Sequence, residues 1–159
     1  QLPDVHFILC GGGITPENND LTRMILANDV ADCVHLLGIR DDIPELNAAF
    51  DIATSSSAYG EGCCNALAEA MSCGIPCVGT AVGDNQFIVG TAGKIVPVRS
   101  PEGLALAWRE LLQLPPERRQ ELSAAARDHI RANLSMDTFI RHHEQVYDSV
   151  LCGAPVATI

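Results

Sequence analysis

Residues 55–78 read SSSAYGEGCCNALAEAMSCGIPCV. This stretch joins a turn with glycines and an acid to a predicted helix, Cys63 or Cys64 to Cys73, which ends before Gly74. A predicted strand, Asp51 to Thr54, precedes the turn, and another, Pro76 to Gly79, follows the helix. This order is typical of an α/β protein, in which ligands bind beyond the carboxyl ends of the strands.

Strand-like apolar runs and amphipathic segments alternate over the rest of the chain. Further strands are predicted at Val5 to Cys10, Val34 to Leu37 and Gly93 to Pro97. Further helices are predicted at Pro16 to Asn28, Ile43 to Ala49, Gln86 to Val89, Pro101 to Leu112, Pro116 to Asn133 and Met136 to Leu151. We expect an α/β fold with a doubly wound parallel sheet and a helical C-terminus. Residues 1–151 would form one domain and residues 152–159 a tail.

The sequence offers N-cap residues for two of the predicted helices. The short helix from Ile43 has Asp41 or Asp42 as its predicted N-cap, and the last helix has Ser135. The last helix also shows an apolar stripe at helical spacing, which predicts the face that it buries. The stripe consists of Phe139, His143, Val146, Tyr147 and Val150.

The chain is strongly acidic. It has ten basic and twenty acidic residues, a formal charge of −10 and a single lysine, Lys94. An acidic surface repels polyanions, so this balance argues against binding to nucleic acid or to an anionic membrane. A phosphate bound here would depend on backbone N–H groups, on the positive end of a helix, or on cations from another part of the protein.

Composition also favours a soluble protein of the cytoplasm. No apolar run approaches the ~20 residues that cross a bilayer, and the first residues lack the pattern of a signal peptide. The seven cysteines are odd in number and form no Cys-x-x-Cys pair. We therefore expect most of them to be small buried hydrophobic residues in a reducing compartment, with no metal and no disulfide.

Two acids flank the start of the helix within residues 55–78. Glu61 lies in the turn, and Glu69 lies about one and a half helical turns beyond the start of the helix, roughly 8 Å along the axis. A diphosphate at the helix start would leave an attached ribose near Glu69, with Glu61 facing the sugar. The first free N–H groups would belong to Cys63, Cys64 and Asn65. The alternative makes Glu61 a solvated acid near the helix dipole and Glu69 part of a polar face.

Here the sequence resembles a known family. The segment EGCCNALAEAMSCGIPCV (61–78) is similar to the Glu-x7-Glu signature of the group 1 (family 4) retaining glycosyltransferases of GT-B fold. The segments LLGIRDDIP (36–44) and VGD (82–84) fit the same family, so the resemblance spans most of residues 5–150. It implies that the chain is the C-terminal, Rossmann-like half of such an enzyme, which binds the nucleotide-sugar donor.

The resemblance also implies a role for each candidate residue. Glu61, the candidate catalytic residue, would contact donor-sugar hydroxyls near the reacting carbon, and Glu69 would hold the ribose. Gly38 and Arg40 would lie by the base. Leu67 would pack on the ribose or is equally a core leucine. The phosphates would meet the backbone N–H groups of Gly62, Cys63, Cys64 and Asn65.

The family further implies the partners of the chain. The donor would be a UDP- or GDP-sugar, and no metal or other cofactor would be needed, in agreement with the absence of an Asp-x-Asp motif. An N-terminal domain upstream of Gln1 would bind a glycan or lipid acceptor. An Arg and a Lys that neutralise the diphosphate would also lie upstream. Any membrane contact, peripheral at the inner face, would belong to the parent protein.

One departure and two alternatives qualify this interpretation. Cys63-Cys64 stands where the family often has an aromatic residue and a proline, which changes the packing of the phosphate turn but keeps its N–H groups. Without the upstream cations the isolated chain would bind its donor weakly and catalyse nothing.

One alternative function is a nucleotide-sugar epimerase of the same architecture. The other is a non-catalytic nucleotide-binding module, in which Glu69→Ala would change neither nucleotide binding nor activity.

Overall fold

The structure, a computed structural model, describes residues 5–153. The chain divides into two compact units, one ending at Ile43 and one beginning at Pro44. The single domain predicted over residues 1–151 stays a prediction.

The strands are β1 Phe7–Leu9, β2 Val34–Leu36, β3 Ala53–Ser55, β4 Cys77–Thr80 and β5 Gly93–Val96. The helices are α1 Asn19–Ala27, α2 Ile43–Ala48, α3 Asn65–Ser72, α4 Asn85–Val89, α5 Pro101–Leu112, α6 Pro116–Asn133 and α7 Met136–Cys152.

The first unit contains a parallel pair of strands and one full helix. Strands β1 and β2 pair in parallel, with Phe7 opposite Val34. Helix α1 begins later than predicted because the side chain of Asn18 caps it, accepting a hydrogen bond from the backbone N–H of Leu21 at 3.2 Å. Residues 16–18 therefore lie before the helix.

The second unit is built on a parallel sheet of order β3-β4-β5, with every residue of the central strand β4 buried. Helices cover both faces of this sheet. Cys77 of β4 belongs to a core formed with α3, α4 and α6, whereas its neighbour Val78 belongs to a core formed with α5. Successive side chains of a strand point to opposite faces, so this alternation is that of a doubly wound sheet. The predicted α/β fold of parallel strands with a helical C-terminus is confirmed.

Strand β3 lies further along the chain than predicted. Its first paired residue is Ala53, and pairing continues to Ser55, which lies opposite Gly79. Ser55 belongs to a run of serines that reads as a loop in the sequence, but its side chain is buried in the structure. Pairing with β4 rather than local propensity sets the bounds of this strand.

The predicted buried stripe of α7 is wrong. Phe139, Tyr147 and Val150 are all more than half exposed, and Thr138 is the buried residue of this helix. The stripe lacks a partner because, within residues 5–153, α7 packs chiefly on α6. Ser135 caps the helix as predicted, accepting a bond from the N–H of Thr138.

The end of the chain also differs slightly from expectation. Helix α7 runs to Cys152, so the predicted tail would begin at Gly153 at the earliest; its remaining residues, 154–159, lie outside the described residues. Among the helices of the described part, none is both long and apolar enough to span a bilayer.

Candidate functional site

One side-chain hydrogen bond joins the turn between β3 and α3 to the end of β4, and a second lies within the turn. The Thr80 hydroxyl donates to the Ser57 carbonyl oxygen at 2.6 Å, and the Ser57 hydroxyl donates to the Glu61 carboxylate at 2.5 Å. Thr80 is buried at 1% exposure, and Glu61 is half-buried. The turn that carries Glu61 is thus fixed to the central strand of the sheet, at its carboxyl end.

A second contact holds the same turn from the other side. The backbone N–H of Asp84 donates to the Gly62 carbonyl at 2.9 Å. Gly83 has φ +51°, and a Cβ added there would lie 2.4 Å from the carbonyl oxygen of Glu61. Only glycine therefore lets the turn after β4 approach the Glu61-Gly62 turn this closely.

Asn85 also belongs to the hydrogen-bond network of Ser57, Glu61 and Thr80. Its side-chain amide donates to the Thr80 carbonyl at 3.0 Å, and the residue is fully buried. Its Oδ1 atom has no hydrogen-bond partner among the described residues. Asn85 therefore joins the first turn of α4 to the last residue of β4.

The start of α3 presents free backbone N–H groups. Cys64 is its N-cap, but no side chain accepts a hydrogen bond from the first turn, and the first bonded amides are those of Leu67 and Ala68. Within the part of the chain that the structure describes, no acceptor faces the N–H groups of Cys63, Cys64, Asn65 or Ala66. Unpaired amides at the positive end of a helix favour an anion.

The two faces of α3 separate the remaining candidates. Glu69 is exposed, whereas Leu67, at 1% exposure, lies in the core with Met71. The ribose contact considered for the Leu67 side chain is therefore not supported, because the core covers that side chain. The Glu69 carboxylate lies on the exposed face of α3 and is accessible to a ligand.

Gly38 and Arg40 lie in the first unit. Gly38 is buried with φ +66°, and its backbone bonds to Ile14 and Gly11 at 2.8 and 2.7 Å. Arg40 forms a two-point ion pair with Asp42, with Nε 2.7 Å from Oδ1. Hydrogen bonding between these two groups raises the pKa of Arg40 and lowers the pKa of Asp42. The Arg40 guanidinium thus already has a carboxylate partner.

The cysteines only partly match the prediction of buried small residues. Cys64 and Cys77 are buried, but Cys10, Cys63 and Cys152 are exposed. Burial, with a smaller effect of neighbouring Cys64, raises the pKa of the Cys77 thiol to about 12, so this thiol is neutral. No group of three or more potential metal-ligating side chains occurs within residues 5–153.

Sequence reasoning missed three polar residues of this network. Ser57 lies in a serine run, Thr80 ends a strand and Asn85 begins a short helix, so each has an ordinary local explanation. A serine four residues before an acid in a glycine-rich turn is the available signal for Ser57. The hydrogen bonds of Thr80 and Asn85 join segments distant in sequence, and no local pattern reveals them.

Comparison with known proteins gives a family and relatives. The model of a family described as "Glycosyl transferases group 1" matches residues 1–114. N-acetyl-alpha-D-glucosaminyl L-malate synthase from Bacillus anthracis is 29% identical over 153 residues, which cover 93% of this chain and 38% of that protein. The chain thus spans about two-fifths of the length of this relative.

Solved structures share the fold. The crystal structure of a glycosyltransferase from Rickettsia africae superposes with a TM-score of 0.82 at 21% identity, over 93% of this chain and 40% of that one. Anabaena HepE in complex with UDP has a TM-score of 0.82 at 24% identity, over 93% of this chain and 42% of that one. A second HepE structure is a complex with UDP-glucose.

Proposed function

The chain belongs to the group 1 glycosyl transferase family, and from this premise we propose that it is the donor-binding part of a retaining glycosyltransferase of family 4. The donor is a nucleoside diphosphate sugar, and the sugar passes to a glycan or lipid acceptor bound by another part of the parent protein. One observation carries the proposal. The turn before α3 combines a fixed carboxylate, Glu61, with a row of unpaired backbone amides.

The start of α3 supports binding of the diphosphate. The free N–H groups of residues 63–66 lie at the positive end of the helix, where negative charge is stabilised. Gly62 is exposed, and the space where its side chain would be is open. Backbone donors need no lysine and no metal, so we propose a site without a metal cofactor. The chain's charge of −10 opposes a diphosphate, so its affinity should be weak.

The two acids supply the other contacts. Glu69 lies on α3 one turn beyond the free amides and is exposed, so its carboxylate is available to the two ribose hydroxyls. Glu61 precedes the helix and would accept hydrogen bonds from the donor sugar near the reacting carbon. Because the Ser57 hydroxyl already fixes its carboxylate, we assign Glu61 donor positioning.

UDP is the nucleotide that we propose. HepE, which shares the fold, has been crystallised with UDP and with UDP-glucose. Gly38 and Arg40 remain the proposed neighbours of the base. For Arg40 this role would use guanidinium N–H groups not bound to Asp42.

A nucleotide titration of the 159-residue chain tests the proposal. We would follow backbone amide NMR signals while adding UDP, GDP or ADP to millimolar concentration. We expect shifts at residues 62–66 and around Glu69 that are largest with UDP. Glu69→Ala should abolish them, whereas Glu144→Ala, an exposed acid of α7, should leave them unchanged. Absence of shifts at residues 62–66 with all three nucleotides would contradict a donor site in this chain.

A further inference from the structure

The carboxylate of Glu61 is held before any donor arrives. The Ser57 hydroxyl donates to its Oε1 atom at 2.5 Å, a distance typical of a strong hydrogen bond to a charged oxygen. Glu61 is only half-buried, and an untethered glutamate of this kind would sample several rotamers. The bond occupies one carboxylate oxygen and leaves the other for a ligand.

Ser57 is itself fixed from the sheet. Thr80, the last residue of β4, is buried at 1% exposure and donates its hydroxyl to the Ser57 carbonyl at 2.6 Å. A hydroxyl has a single proton to donate, so the longer approach of the same atom to the Ser55 carbonyl, at 3.5 Å, is secondary. The backbone of Thr80 is held in turn by the Asn85 side chain.

We propose that Thr80 and Ser57 form a relay of hydrogen bonds that positions the Glu61 carboxylate for the sugar of the donor. Ser57 and Thr80 are positioning residues: neither needs to touch the donor. This inference rests on the proposed function, because it assigns Glu61 to the sugar. It goes beyond that function by naming the residues that order Glu61. It also names the ligand group that Glu61 would bind, a hydroxyl of the donor sugar.

The relay predicts that its loss weakens the binding of some ligands and not of others. A residue that acts only through Glu61 should affect ligands that carry the donor sugar and spare UDP, which has the ribose but lacks the donor sugar. Releasing one flexible side chain weakens binding by about two- to tenfold. A loss of general loop structure would instead weaken UDP and UDP-sugars alike, because the phosphate amides of residues 63–66 follow the same turn.

The experiment measures dissociation constants of UDP, UDP-glucose and UDP-N-acetylglucosamine by NMR titration of the full chain. Ser57→Ala should raise the constant for the tighter UDP-sugar about fivefold and change that for UDP less than twofold. Ser57→Thr, which keeps the hydroxyl, should retain binding. Ser56→Ala is the matched control, because the neighbouring serine is exposed. Thr80→Val should reproduce the selective loss, and Thr80→Ser should not.

A double variant adds a stricter test. If Ser57 acts through Glu61, Ser57→Ala should have no further effect in a Glu61→Ala chain. Additive effects, or equal loss for UDP and UDP-sugar, would overturn the relay. If Ser57→Ala binds the UDP-sugar as tightly as the unaltered chain, while Glu61→Ala weakens that binding, the relay is overturned and the proposed function is not. If neither UDP nor a UDP-sugar binds the unaltered chain, the proposed function fails and the relay with it.

Discussion

At the scale of single residues, Gly83 determines how closely the two turns of the candidate site approach. It has a positive φ, and a Cβ there would lie 2.4 Å from the Glu61 carbonyl oxygen and 2.6 Å from that of Gly62. We expect Gly83→Ala to lower the free energy of unfolding by about 1–3 kcal/mol, through backbone strain and displacement of the Glu61 turn. Urea denaturation measures this change.

Gly12→Ala is the control for this substitution. No atom lies within 4 Å of an added Cβ at Gly12, and its φ is not positive. The control should therefore keep the stability of the unaltered chain within about 0.5 kcal/mol. Equal stability of Gly83→Ala and Gly12→Ala would show that the close approach of the two turns is not required.

Cys77 gives a prediction about pH. Burial raises the pKa of its thiol to about 12, whereas an unfolded chain has the ordinary thiol pKa of about 8.5. Between these values the unfolded chain releases a proton that the folded chain keeps. The free energy of unfolding should therefore fall as pH rises above about 9, by at most about 1.4 kcal/mol per pH unit from this group. Below about pH 8 the group has no effect on the pH dependence.

Urea denaturation of Cys77→Ala at pH 8, 9 and 10 isolates this contribution. Other groups also titrate in this range, so the quantity to compare is the difference in stability between variant and unaltered chain. That difference should shift in favour of Cys77→Ala as pH rises. The control is Cys63→Ala, which alters an exposed thiol and should show the pH dependence of the unaltered chain. A difference that stays constant with pH in Cys77→Ala would contradict the burial argument.

The candidate residues were predictable in part. The sequence places Glu61 before a helix and Glu69 on it, and the structure has both there. It left open whether Leu67 faces a ligand or the core, because both fit helical spacing, and burial decides for the core. The hydrogen bond from Ser57 to Glu61 is not predictable from the sequence. Its geometry depends on the hydrogen bond that Thr80, at the end of β4, donates to the same turn.

At the scale of elements, the end of α3 shows how one helix fixes another. Gly74, at φ +81°, follows the helix, and its N–H donates to the Met71 carbonyl while that of Ile75 donates to Ala70. This is a Schellman motif. Arg127 of α6 adds a bond from its guanidinium to the Cys73 carbonyl at 2.9 Å, and a side chain at Gly74 would collide with this guanidinium.

We expect Arg127→Met to destabilise the fold through this contact. The substitution keeps much of the aliphatic stem and removes the donor, so the free energy of unfolding should fall by about 1 kcal/mol. Arg131→Met is the matched control on the same helix. Among the described residues Arg131 makes only an exposed ion pair with Asp128, so its loss should matter by less than about 0.5 kcal/mol. Equal effects in urea denaturation would refute a specific role for Arg127.

Helix bounds were more predictable than strand bounds. Helices α5 and α6 have the predicted bounds because proline at the first position marks their starts. The strands have three or four residues, and their ends are set by pairing, as Ser55 opposite Gly79 shows. The exposed stripe of α7 has core-like spacing, but spacing alone does not tell whether a partner covers a helix.

At the scale of the whole molecule, the two units differ in how much they bury. Among residues 5–43 only Gly38 is buried, and α1 has no buried residue. The unit that begins at Pro44 holds both hydrophobic cores, which enclose β4 from both faces. Because burial of apolar surface is the main source of stability, the two units should open with different free energies.

Amide hydrogen exchange measures these opening free energies residue by residue. We expect the β4 amides to exchange only on global unfolding and the amides of β1 and β2 to exchange at least about tenfold faster, through local opening. Ile88→Val, a small change in the second unit's core, should lower the protection of β4 by about 1 kcal/mol. It should leave the β1 and β2 amides unchanged, because local opening does not break that core. Equal protection of all three strands, or an equal response to Ile88→Val, would mean that residues 5–43 unfold only together with the rest of the chain.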